Sequence, residues 1–223
     1  MIAIRGVTKV YGKTPALTGV DLEIGRGECL AIAGSRGSGR TTLLRIMATL
    51  VRPTSGHVAI DGIDIASDVF RVRPLVAYAG RDPIDGNRLR VDEYLRFVAT
   101  ARKQPASSVE PIAALVGLDV RAPIAALAAD VQSRLALAAA LIAAPAVLLL
   151  DEPLGVLESA ARAGFLQWLA DARRRGATIV MSASAGDDVS EVCPRVVRLD
   201  AGRVIEIAAG QPLPAAPAEL VGA

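Results

Sequence analysis

The chain has 223 residues and a mass of 23.1 kDa, the size of one large domain or of one domain with an inserted subdomain. Hydrophobic residues make up 52% and the mean hydropathy is +0.41, which excludes a mainly disordered chain. With 25 basic and 23 acidic residues the net charge is +2, and no Lys/Arg block marks a nucleic-acid surface.

Residues 2–5, 17–24 and 29–33 are short apolar or alternating runs between Gly-rich turns and predict strands. Residues 43–51 predict a helix closed by Arg52-Pro53. Residues 58–65 predict a hairpin turning at Asp61-Gly62, and residues 75–79 a strand. The composition changes after Gly80. Apolar residues at 91, 94, 95 and 98 form a stripe that predicts a helix over 91–103. Residues 109–116 and 131–143 predict two more helices, with a loop at 104–108, so about 83–143 reads as a mainly helical insert. The fully apolar run 146–150 has the character of a buried parallel strand. A helix follows over 157–175, with Trp168 read as core packing and Arg173, Arg174 and Arg175 as a solvated end. Strands are predicted at 178–181, 196–199 and 204–207, and the Ala/Pro-rich stretch 210–223 reads as an irregular tail. Strand and helix in alternation predict an α/β core with a parallel sheet.

The longest apolar stretch, 135–150, is broken by Pro145 and falls short of the ~20 residues that cross a bilayer. Met1 leads directly into Ile-Ala-Ile-Arg, so no secretory leader is expected and the chain is read as cytosolic. Cys29 and Cys193 flank strand-like stretches and read as buried, reduced thiols. His57 is the single histidine and is expected on a hairpin surface, so neither a metal cluster nor a histidine triad is expected.

The strongest motif is Gly34-Ser35-Arg36-Gly37-Ser38-Gly39-Arg40-Thr41-Thr42, between an apolar strand and an apolar helix. Its glycines let backbone N–H groups turn inward around phosphate oxygens, and the helix N-terminus adds its positive dipole end. Thr41 is the candidate hydroxyl ligand for Mg²⁺; the strict phosphate-loop pattern has Lys where this chain has Arg40. The second motif is Val147-Leu-Leu-Leu-Asp151-Glu152-Pro153. A buried strand ending in two carboxylates delivers them to the sheet edge where ligands bind in open α/β folds. Asp151 is the candidate partner of Mg²⁺ through water, and Glu152 the candidate group that polarises an attacking water.

In order and spacing these motifs resemble those of the ATP-binding cassette (ABC) ATPases, the nucleotide-binding subunits of transporters, over residues 1 to about 210. Tyr11 matches the aromatic that stacks on adenine. Residues 17–24, 54–62, 91–97 and 195–204 match the second strand, the segment after the first helix, the helical subdomain and the closing hairpin. The resemblance implies a P-loop NTPase fold: a parallel sheet core with an N-terminal antiparallel β subdomain and an inserted helical subdomain. It also implies ATP and Mg²⁺ as ligands, a permease subunit in the membrane docked near residues 81–100, and a second cassette from the same or a different chain. The chain would then lie on the inner face of the membrane, with no nucleic-acid partner.

The departures from that family's pattern are specific. Leu127-Ala-Ala-Asp130-Val stands where the signature Leu-Ser-Gly-Gly-Gln falls, Arg81 where the loop glutamine falls, Ser184 where the switch histidine falls, and Gly155-Val-Leu-Glu158 where the Ser/Thr-Gly-Leu-Asp loop falls. Family subunits present the signature to the γ-phosphate held by the opposite subunit. Two like charges ~4 Å apart there repel by about 4 kcal/mol at an effective dielectric of 20, which sets Asp130 against phosphate. Arg40 keeps the charge of lysine but is bulkier and planar. Hydrolysis is therefore expected to be slow or absent. The alternative is a regulatory or scaffolding pseudo-ATPase that acts by association.

Overall fold

The computed structural model describes residues 1–82, 84, 88–184, 189 and 192–209, with only the backbone described for 206–209. From the N-terminus run β1 (Ile2–Tyr11), β2 (Thr14–Ile24), β3 (Cys29–Ala33), α1 (Arg40–Met47), β4 (Ser55–Ile60), β5 (Ile63–Asp64), α2 (Val69–Val72) and β6 (Val76–Ala79). Then follow α3 (Val91–Ala101), α4 (Val109–Leu115), α5 (Ala129–Ile142), β7 (Val147–Leu150), α6 (Ser159–Arg174), β8 (Thr178–Ala183), β9 (Arg195–Asp200) and β10 (Arg203–Ala209).

The first sheet has the order β2-β1-β4-β5, and all its pairs are antiparallel. The second has the order β10-β9-β3-β8-β7-β6 and is parallel except for β10, which returns antiparallel along β9. Period-two alternation divides the second sheet between two cores. Ala31 and Ala33 of β3, Leu148 and Leu150 of β7, and Ile179 and Met181 of β8 face α3–α6. Leu30 and Ile32, Val147 and Leu149, and Val180 face α1 and the first sheet, where they meet Leu43, Leu44, Ile46 and Met47. Both faces are covered, so these strands read as unbroken apolar runs rather than alternating ones.

The elements follow the sequence reading, with differences that have local causes. α1 begins at Arg40, ahead of its apolar run, because Gly39 in a left-handed conformation turns the chain directly into helix. It ends at Met47, and Thr49 adopts φ 61°, which no helix continues. Residues 106–108, expected as loop, form a 3₁₀ turn in which the Ser108 hydroxyl donates to the Pro105 carbonyl at 2.7 Å. α2 has four residues, too few to show a periodic stripe; the Asp68 carboxylate accepts from the Arg71 N–H at 3.2 Å and starts it. The tail at 210–223 lies outside the described residues.

Two readings need correction. Cys29 and Cys193 are joined in a disulfide across 164 residues of chain, not held as separate thiols. β3 and β9 are neighbouring parallel strands with Leu30 opposite Arg195, which brings the two cysteines together where these strands begin. Nor is the basic end of α6 simply solvated. Arg173 donates to the carbonyls of Gly27 and Val192, each at 3.3 Å, and the Arg175 guanidinium lies 5.9 Å from the Trp168 ring centre. Trp168 itself packs half-buried against the core, as expected. His57 is exposed on β4, 3.6 Å from the Asp64 carboxylate. Among the described residues no helix is long and apolar enough to cross a membrane.

Candidate functional site

The loop between β3 and α1 is shaped by two glycines that no other residue can replace. Gly34 sits at φ 156°, and a Cβ there would run into the Leu199 carbonyl and the Ser38 hydroxyl. Gly39 sits at φ 105°, and its Cβ would meet the Ala16 carbonyl at 2.5 Å and the Leu17 side chain at 2.7 Å. The loop is tied from outside: Gly202 N–H donates to the Ser38 carbonyl at 3.0 Å, and Thr18 N–H to the Gly202 carbonyl at 2.8 Å. An α-helix leaves its first amides without intrahelical partners, and α1 has no acidic residue in its first turn. The result is a backbone concavity at a positive helix end, which suits an anion.

This loop forms one wall of a cleft of about 850 Å³. Every candidate residue read from the sequence lines it: Tyr11, the whole of 34–42, Asp151 and Glu152. Arg81, Ser184 and Arg198 line it as well. Tyr11 is half-exposed at the rim, with the Lys9 ammonium 4.9 Å from its ring centre.

The opposite wall is the end of β7. Parallel pairing with β6 and β8 fixes it: the Asp151 N–H donates to the Ala79 carbonyl at 2.8 Å, and Leu150 lies opposite Met181. The fully buried Ser182 completes the turn. Its hydroxyl donates to Asp151 Oδ1 at 2.6 Å and accepts the Glu152 N–H at 2.8 Å. Sequence reasoning passed over Ser182, although a hydroxyl inside an apolar strand needs a buried partner and so carries a signal. Burial, and then the Asp151 charge, push the nearby Tyr78 phenol up to about 12, so it is neutral beside the acidic pair.

Glu152 adopts a left-handed backbone, φ 49° and ψ 51°, an uncommon conformation for a non-glycine residue. Its carboxylate lies between two guanidiniums. Arg40 Nη2 donates to Oε1 at 2.7 Å and Arg81 Nη2 to Oε2 at 2.6 Å. Arg40 also donates through Nη1 to the Ala183 carbonyl at 2.7 Å. The side chains of Arg40 and Glu152 are only 10% and 24% exposed, whereas Arg81 is 59% exposed. Arg40 thus reaches from the glycine-rich loop to the acidic wall.

The family profile described as ABC transporter matches residues 17–155, which include both the phosphate loop and the acidic pair. The chain belongs to the ABC transporter family. It is 36% identical over 220 residues to the sulfate/thiosulfate import ATP-binding protein CysA of Caulobacter vibrioides, covering 92% of this chain and 64% of that protein. It is 31% identical over 210 residues to the daunorubicin resistance ATP-binding protein DrrA3 of Streptomyces coeruleorubidus, covering 92% and 66%. The chain thus spans slightly less than two thirds of the length of these curated relatives. Among solved structures, a dimeric bacterial ABC transporter cassette superposes with a TM-score of 0.83 at 26% identity, covering 95% of this chain and 99% of that one. A cassette dimer bound to ADP and Pi gives the same TM-score at 25% identity and the same coverage.

Against the ABC pattern, the departures occupy defined places. Leu127 and Ala128 precede α5, and Asp130 falls in its first turn, where a carboxylate complements the helix dipole. Asp130 is exposed, with Arg134 Nη2 3.7 Å away one turn on. Ser184 is exposed at the cleft edge, and Arg81 lies within the cleft.

Proposed function

We propose that this chain binds ATP with Mg²⁺ in the cleft and serves as an ATP-binding subunit of an ABC transporter. It would pair with a second cassette, couple its nucleotide state to a membrane permease, and hydrolyse ATP slowly or not at all. The backbone amides of 34–42 supply the phosphate cradle, and Tyr11 at the rim supplies a ring for adenine. Thr41 and Asp151 offer hard oxygen donors of the kind Mg²⁺ takes, one or two from protein and the rest from phosphate and water. When bound, Mg²⁺ would neutralise charge on the transferring phosphoryl oxygens.

The observation that carries the slow-hydrolysis reading is the pair of guanidiniums on Glu152. A general base must present a lone pair to water within hydrogen-bond reach. Here Oε1 accepts from Arg40 and Oε2 from Arg81, and a guanidinium held against a carboxylate makes it a poorer acceptor of a proton from water; Arg81 keeps that hold even when Arg40 turns to phosphate. Asp130 adds a negative charge at the segment that the family presents to phosphate.

Single-turnover hydrolysis by the full chain, alone and with a partner cassette, tests the proposal. The expected result is tight retention of Mg-ATP with little conversion to ADP. Rapid conversion that Glu152→Gln abolishes would overturn the slow-hydrolysis part. The absence of any thermal shift with Mg-ATP would favour the second reading, a subunit acting by association with Glu152 and Arg40 permanently paired.

A further inference from the structure

We infer that Arg81 is a positioning residue for nucleotide binding, which acts by taking over Glu152 when Arg40 turns to phosphate. This rests on the proposed nucleotide site and goes beyond it, because Arg81 need not touch the nucleotide.

The argument starts from Arg40. Its side chain is 10% exposed, and both terminal nitrogens are engaged, one by Glu152 and one by the Ala183 carbonyl. A triphosphate seated on 34–42 competes with Glu152 for that guanidinium. Releasing Arg40 would leave a carboxylate, 24% exposed, without its inner partner. Removing one member of a part-buried ion pair is costly because the other charge is left uncompensated. Arg81 removes that obstacle. It already donates to the other oxygen, Oε2, at 2.6 Å, and it reaches from the more exposed side, so it can follow the carboxylate as it moves. Glu152 is thus an internal anion competing for Arg40, and Arg81 weakens the competition by sharing the carboxylate.

Three consequences have distinct signs. Losing Arg81 leaves Glu152 wholly to Arg40 and opposes nucleotide binding. Neutralising Glu152 frees Arg40 and favours it. Once Glu152 is neutral, Arg81 has no carboxylate to hold, and its loss has no effect.

The test is calorimetric titration of the full chain with a non-hydrolysable ATP analogue and Mg²⁺. Arg81→Ala is expected to weaken binding about tenfold, the size of one charge-assisted hydrogen bond. Glu152→Gln is expected to tighten it by a similar factor, and adding Arg81→Ala to Glu152→Gln to change nothing further. Arg81→Lys, which keeps the charge, is expected to restore most of the affinity. Unchanged affinity in Arg81→Ala overturns the inference. So does an equal loss in the Glu152→Gln background, because Arg81 would then act on the phosphates directly or through general charge. Arg81→Gln repeats the comparison if the alanine variant does not fold, and wild-type affinity there also overturns the inference. If neither wild type nor Glu152→Gln binds the analogue, the nucleotide reading itself fails and this inference fails with it.

Discussion

At the scale of single residues, the site depends on what cannot be added as much as on what is present. A Cβ at Gly39 would meet the Ala16 carbonyl at 2.5 Å while the backbone is held at φ 105°. Gly39→Ala is therefore expected to displace the start of α1 and abolish nucleotide retention. A loss of about 1–3 kcal/mol of stability, from strain at a left-handed position, should accompany it and is measurable by urea denaturation. The acidic wall works differently. Ser182 ties the Asp151 carboxylate to the Glu152 backbone N–H through one hydroxyl, so the acidic turn is fixed, while the Glu152 carboxylate itself is held by Arg40 and Arg81.

At the scale of elements, local chemistry sets where helices begin. The Glu93 carboxylate accepts the Arg90 N–H at 2.8 Å, and Asp92 pairs with Arg90, whose hydrogen bond and charge lower the Asp92 carboxyl below its usual range. Together they begin α3. Glu93→Ala removes an N-terminal partner and is expected to cost about 1 kcal/mol, read as a lower denaturation midpoint with unchanged nucleotide affinity. α3 was visible in the sequence as an apolar stripe at 91, 94, 95 and 98, and α5 and α6 were also read as helices, at 131–143 and 157–175. α2 was not, because four residues complete barely one turn and show no period. Asp130 was read from the sequence only as a departure from the signature. On α5 it is also an exposed first-turn carboxylate one turn from Arg134.

At the scale of the whole molecule, α3 carries an aromatic that the core leaves out. Phe97 is 67% exposed beside a shallow cleft that includes Tyr94, Arg102 and Ala140. It lies within the region where a permease partner is proposed to dock. Phe97→Asp is expected to abolish co-purification with that partner from native membranes while leaving nucleotide affinity and melting temperature unchanged. Retained association would place the docking surface elsewhere.

The sequence by itself determined the class of the fold and the two motifs that meet in the cleft. Apolar periodicity and glycine placement are local properties, set by neighbours along the chain. What it could not determine were the pairings made across distance. Cys29 bonds Cys193 because β3 and β9 are adjacent, and Arg40 meets Glu152 because β3 and β7 both flank β8 and end at the same edge of the sheet. Ser182 meets Asp151 only because β8 is set beside β7. Strand order decides which side chains share a cleft, and it results from packing two cores on one sheet, an arrangement that no stretch of sequence contains.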